Sequence, residues 1–116
     1  MIIAVQGSKN FTDYQIFLRA MGTALSTISP EDKEIFIYSA GPANVNSMCM
    51  EFSNVVERSM KARGIRIKMQ KAPIKWLKDH IDRVDYFVYL SKPRENLSEL
   101  ATLADKKDIE MGVYRY

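Results

Sequence analysis

Apolar runs of strand length alternate with segments of helical period along the whole 116-residue chain, and no tight hairpin turn links one run to the next. Strands joined only through helices cannot pair as hairpins, so the alternation predicts a parallel sheet wrapped by helices on both faces. Ile2 to Gln6, unbroken apolar as far as Val5, has the mark of a strand buried on both faces and is expected at the centre of the sheet. Asp13 to Ile28 then sets Phe17, Ala20, Met21, Ala24 and Ile28 on one helical stripe before Ser29-Pro30 stops it. Ile35 to Tyr38 is a second buried strand, and Val45, Met48, Phe52, Val55, Val56 and Met60 recur at helical spacing up to Gly64, placed as a C-cap glycine. Ile65, Ile67 and Met69 alternate with polar residues, the pattern of a strand with one wet face, expected at a sheet edge. A short helix after Pro73, a strand over Tyr86 to Leu90, a helix over Asn96 to Lys107 and a strand over Ile109 to Tyr114 complete the pattern. The expected fold is a single α/β Rossmann-like domain over residues 1–116, with a five-stranded, mainly parallel sheet.

Sheets of this kind take ligands outside the carboxyl ends of their strands, where the strand order reverses. The turns after strands one, two and four therefore line one crevice: Gly7 to Phe11, Ser39 to Asn44 and Ser91 to Glu95. The first turn, in Gly7-Ser8-Lys9-Asn10-Phe11-Thr12-Asp13-Tyr14, lies where a strand hands over to a helix N-terminus. Unpartnered N–H groups and the positive end of the helix dipole favour an anion there. Thr12 with Gln15 has the form of a capping box. Gly7, Ser8, Lys9, Asn10, Ser39, Gly41, Asn44, Ser91 and Lys92 are the candidate ligand-binding residues. Plainer readings stand beside these: Ser8 and Lys9 as a polar turn, Asn44 as the cap of the second helix, and Asn96 with Glu99 as a capping pair for the fourth.

The residues of these turns resemble the YspA/YpsA-related branch of the SLOG superfamily, Rossmann-like proteins that include DprA and the LOG nucleotide hydrolases. GSKNFTDY is similar to the GSRxFxDY signature, SAGPANVN to the SGGARGAD turn, and LSKPRENLSELATLA stands where LOG proteins have LPGGxGTxxEL, with Glu99 on the motif glutamate. The resemblance implies a nucleotide phosphate cradled on consecutive glycines at the carboxyl edge. This chain departs from it at Ala40 and Pro42, which flank Gly41, and at Ser91, Lys92, Pro93 and Glu95, which replace the later glycines. A Cβ or a missing N–H at those points disfavours the LOG-type N-glycosidase. The expected activity is therefore non-catalytic binding of a nucleotide or nucleotide-derived small molecule. NFTDYQIFLRAMGTALS and IYSAGPANVN also resemble small proteins of tailed phages, which implies, as the alternative, an interaction or anti-defence protein docking on a host protein or RNA.

Charge bears on that alternative. Arg58 to Lys78 holds eight basic residues and no acidic one, whereas the rest of the chain has nine basic and fourteen acidic residues, so the net +3 conceals a dipolar molecule. Arg63, Arg66, Lys68, Lys71 and Lys75 are the candidates for contact with an acidic host protein or RNA. The plainer reading is that Lys and Arg on an edge strand deter edge-to-edge pairing. Homo-oligomerisation is left open by the Met and Phe of the helices. His80 and Cys49, each the sole residue of its type, cannot furnish a zinc site, and Ser8, His80 and Asp82 make a catalytic triad only on paper. No metal or cofactor is expected. No apolar run approaches the roughly 20 residues of a membrane span, and no basic leader precedes the first strand. With a lone cysteine, the expected location is the cytoplasm of a cell or an infected host.

Overall fold

The computed structural model describes residues 1–115 and is a five-stranded, wholly parallel sheet in the order β3-β2-β1-β4-β5. The strands are β1 (Ile2–Gly7), β2 (Glu34–Ser39), β3 (Arg66–Lys71), β4 (Tyr86–Ser91) and β5 (Glu110–Arg115). The helices are α1 (Tyr14–Leu25), α2 (Ala43–Ala62), α3 (Ile74–Asp79) and α4 (Glu99–Lys106), with a 3-10 turn over Ile81–Arg83. Successive strands step outward from β1 to β3, and the chain then returns across the sheet to place β4 on the other side of β1. Parallel crossovers keep one hand, so reversing the direction of travel moves the helices to the opposite face. Accordingly α1 and α2 share a core with Ile3, Val5, Ile35, Ile37, Val88 and Leu90, while α3 and α4 share a second core with Ala4, Phe87 and Tyr89. β1 is central and β3 an edge, as the apolar patterns predict.

Helix ends depart from the sequence reading in instructive ways. Asp13, not Thr12, caps α1: its Oδ1 accepts the Ile16 N–H at 3.1 Å. The helix stops at Leu25 rather than Ile28, because the Ser26 and Thr27 hydroxyls donate back to the carbonyls of Thr23 (2.6 Å) and Ala24 (2.7 Å). Asn44 lies inside α2, behind Pro42, and Ser98 rather than Asn96 caps α4, accepting from the Ala101 N–H at 3.1 Å. Gly64 takes the expected left-handed turn at φ 76°. Its N–H donates to the Lys61 carbonyl and that of Ile65 to the Met60 carbonyl, both at 2.9 Å, which closes the end of α2.

The close approach that positions the carboxyl edge is at Gly7. A Cβ built there would lie 2.6 Å from Val45 Cγ2 of α2, so the glycine seats the first turn of α2 against the end of β1. Gly7→Ala is expected to destabilise by about 1–3 kcal/mol through overpacking. Adding Val45→Ala should recover most of the loss; equal losses in the single and double variants by urea denaturation would contradict this packing.

Candidate functional site

Three turns meet at the carboxyl edge of the sheet, and hydrogen bonds between them hold them together. The Gly7 N–H donates to the Gly41 carbonyl at 3.1 Å, and the Ser8 N–H donates to the Leu90 carbonyl at 2.8 Å. The Phe11 N–H returns to the Ser8 carbonyl at 3.1 Å, and the Asn44 side-chain amide donates to the Phe11 carbonyl. Phe11 itself is fully buried, so the loop is anchored by an apolar side chain amid its polar ones.

Ser39 is buried, donates its hydroxyl to Asn46 Oδ1 at 2.5 Å and accepts the Gly41 N–H at 3.3 Å. Ser91, also buried, accepts from Arg115 Nη1 at 3.0 Å. The same nitrogen reaches the carbonyls of Lys92 (3.0 Å) and Glu95 (2.7 Å), so the last strand holds the β4–α4 loop in place. On the α3 and α4 face, Ser98 donates to Gln6 Oε1 at 2.6 Å, tying the start of α4 to the end of β1.

The candidate ligand-binding residues therefore divide. Gly7, Ser8, Ser39, Gly41, Asn44 and Ser91 are members of the internal network, whereas Lys9, Asn10 and Lys92 are exposed on the rim. Arg94 is exposed beside them, in a left-handed conformation at φ 66°. The carboxylates of Asp13 and Glu95 are turned onto backbone N–H groups of this edge: Asp13 on the start of α1, and Glu95 Oε2 accepting from the Lys92 N–H at 3.1 Å. The chain's own acids thus occupy positions at the helix and loop N–H groups that favour negative charge, and the cationic groups exposed at this edge are the side chains of Lys9, Lys92 and Arg94.

Residues implied in chemistry are engaged in other contacts. Glu99 is exposed and paired with Lys78 at 2.5 Å, and the hydrogen bond and charge of that lysine hold its carboxyl below the usual range. The group stays ionised and cannot serve as a proton donor near neutrality. Ser8 follows the carboxyl end of β1, whereas His80 precedes β4 and stacks on Trp76 with ring centroids 4.2 Å apart. His80 Nδ1 lies 2.8 Å from the Trp76 carbonyl, so both the ring and its nitrogen are engaged by α3. Among the described residues no group of three His, Cys, Asp or Glu side chains is arranged to hold a metal ion, and no helix is long and apolar enough to cross a membrane.

The basic segment does not form one face. Arg66 and Lys68 project from β3 on the side of α3, and Arg66 is paired with Glu34 at 2.6 Å. Lys71 alternates to the α2 side, Arg63 stands at the C-cap of α2, and Lys75 lies exposed on α3. Trp76 is half-buried and packs edge-to-face on Tyr38 at 5.3 Å.

Several residues of the edge have no strong sequence signal. Arg115 is brought to Ser91 only by the parallel register of β4 and β5, and Asn46 reaches Ser39 from the first turn of α2. Asp13 had one, as a better cap than threonine directly before the helical stripe.

No protein-family model and no curated protein matches the chain. Among solved structures, a universal stress protein from Archaeoglobus fulgidus is similar over 99% of this chain and 98% of that one, at 12% identity and a TM-score of 0.37.

Cys49, on α2 beneath Ser39, is buried, and burial pushes its thiol from 9.0 up to about 12, the Ser39 hydroxyl acting weakly in the opposite direction. The unfolded chain therefore loses this proton first. Its contribution to stability is complete below pH 9 and falls as pH rises from there towards 12. Denaturation midpoints compared at pH 8 and pH 10.5 should fall more steeply for the parent than for Cys49→Ala; equal slopes would contradict the buried neutral thiol.

Proposed function

We propose that the protein binds a nucleotide or nucleotide-derived small molecule at the carboxyl edge of the sheet without turning it over. The observation that supports this reading is the cationic rim of Lys9, Lys92 and Arg94 beside the point where the strand order reverses between β1 and β4. Reversal points are where parallel sheets of this order open towards ligands. The resemblance of GSKNFTDY to the SLOG signature points to the same edge. Lysine and arginine side chains take a phosphate as a charge and a set of donors, and need no glycine cradle. Asn10 offers an amide for the polar edge of a base or ribose.

The same geometry argues against turnover. The glutamate on the LOG motif position is held by Lys78, and the edge carboxylates Asp13 and Glu95 are engaged by backbone N–H groups. The alternative, docking through the basic segment on an acidic macromolecule, is favoured by one feature, the unpaired edge of β3.

Thermal unfolding with nucleoside mono-, di- and triphosphates and cyclic nucleotides tests the binding reading. A ligand at 100 times its dissociation constant stabilises the native state by about 2.7 kcal/mol, and Lys9→Ala with Lys92→Ala should abolish most of the shift. The reading fails if no nucleotide raises the melting temperature, or if the double variant keeps the full shift. Free base released from a nucleoside monophosphate would restore the N-glycosidase.

A further inference from the structure

β3 is hydrogen-bonded on one side only, to β2. The Arg66 N–H donates to the Lys33 carbonyl and that of Ala72 to the Ser39 carbonyl, both at 2.8 Å. Backbone groups alternate along a strand, so those of Ile67, Met69 and Lys71 point away from the sheet. This outward row is an open template for another strand.

The ground on either side of that row is chemically distinct. On the α2 side two cavities follow one another along the strand. One, of about 650 Å³, is lined by Met50, Glu51, Asn54 and Val55 of α2 with Met69 and Lys71, and the other, of about 250 Å³, by Glu57 and Lys61 of α2 with Ile65, Arg66, Ile67 and Lys68 of the β3 segment. Val55 is 67% and Met50 46% exposed, large apolar side chains facing water beside an unpaired strand. On the α3 side Arg66, Lys68 and Gln70 are exposed, with Glu34 the acid paired to Arg66.

We propose that β3 receives an extended peptide strand of another protein, apolar at the alternate positions that face α2 and acidic at those that face Arg66 and Lys68. Strand addition joins the outward N–H and C=O groups to the peptide backbone, and the two faces select its side chains. Charge argues against a second copy as the occupant, since pairing β3 with β3 sets the Arg66 and Lys68 rows against each other. Pairing β3 with the β5 edge of another copy is head-to-tail and has no closure of its own. A nucleic acid would use the positive charge but leave the outward backbone row and the apolar cavities idle. Basic residues that repel like edges thus admit an acidic strand.

The site is distinct from the carboxyl-edge rim, and its test uses neither Lys9 nor Lys92. Fluorescence anisotropy measures binding of a labelled ten-residue peptide of alternating valine and glutamate to the full chain, beside the valine–lysine peptide of the same length. The glutamate peptide should bind at least tenfold more tightly. Met69→Pro removes an outward N–H that β2 does not use, and Val55→Asp places a charge on an exposed helix position. Each should weaken binding at least tenfold while circular dichroism stays unchanged, and Val55→Asp decides the matter if Met69→Pro does not fold. Equal binding of the two peptides, or parent-like binding by Val55→Asp, overturns the proposal. Displacement of the bound peptide by polyuridylate at lower concentration overturns it in favour of nucleic acid. A dimer in sedimentation that the peptide does not dissociate overturns it in favour of a second copy.

Discussion

The end of β1 is clamped between its two neighbours, and the carboxyl edge depends on that clamp. Gly7 donates to the β2–α2 turn and Ser8 to the last part of β4, so the two halves of the sheet are joined at the point where their directions of travel diverge. Only a glycine lets α2 come close enough, because Val45 occupies the space that a side chain at position 7 would need. The first turn of α2 then brings Asn44 to the Phe11 carbonyl and Asn46 to Ser39. One close contact between a strand and a helix thereby sets the positions of three turns.

That arrangement governs what the edge can recognise. In a glycine-rich phosphate loop the backbone amides are the binding groups, because they can approach an anion where no Cβ intervenes. Here the amides of Gly7, Ser8 and Gly41 are engaged within the fold, and Asp13 fills part of the α1 terminus with a carboxylate of the chain itself. The proposed binding of an anion at this edge therefore rests on the cationic side chains of the rim, Lys9, Lys92 and Arg94, rather than on the backbone.

The architecture was legible in the sequence because it rests on periodicity. An unbroken apolar β1 reads as central, the half-polar Ile65 to Met69 as an edge, and Gly64 as a helix end, and each of these follows from a local rule about burial or backbone angle. Helix starts were less legible, since Thr12, Asp13, Asn44, Asn96 and Ser98 are all competent caps and the choice depends on which residue the tertiary packing leaves at the boundary. Phe11 read as part of a polar loop, although its burial is what fixes the loop. Arg115 and Asn46 are recruited through strand register and helix placement, relations that no linear spacing encodes. The basic run from Arg58 to Lys78 was visible, but its division between the faces of β3, the end of α2 and α3 depends on strand alternation and on where the chain crosses the sheet.

Amide hydrogen exchange at Gly7 and Ser8, followed by NMR, tests most directly whether the backbone of the carboxyl edge is locked by the fold and so leaves recognition to side chains. In the ligand-free protein both amides should be protected to the same degree as those in the middle of β1 and β4, and nucleotide should leave that protection unchanged. Exchange at the rate of an open loop, with protection appearing only on addition of nucleotide, would mean that the amides themselves form the anion cradle and would contradict the account.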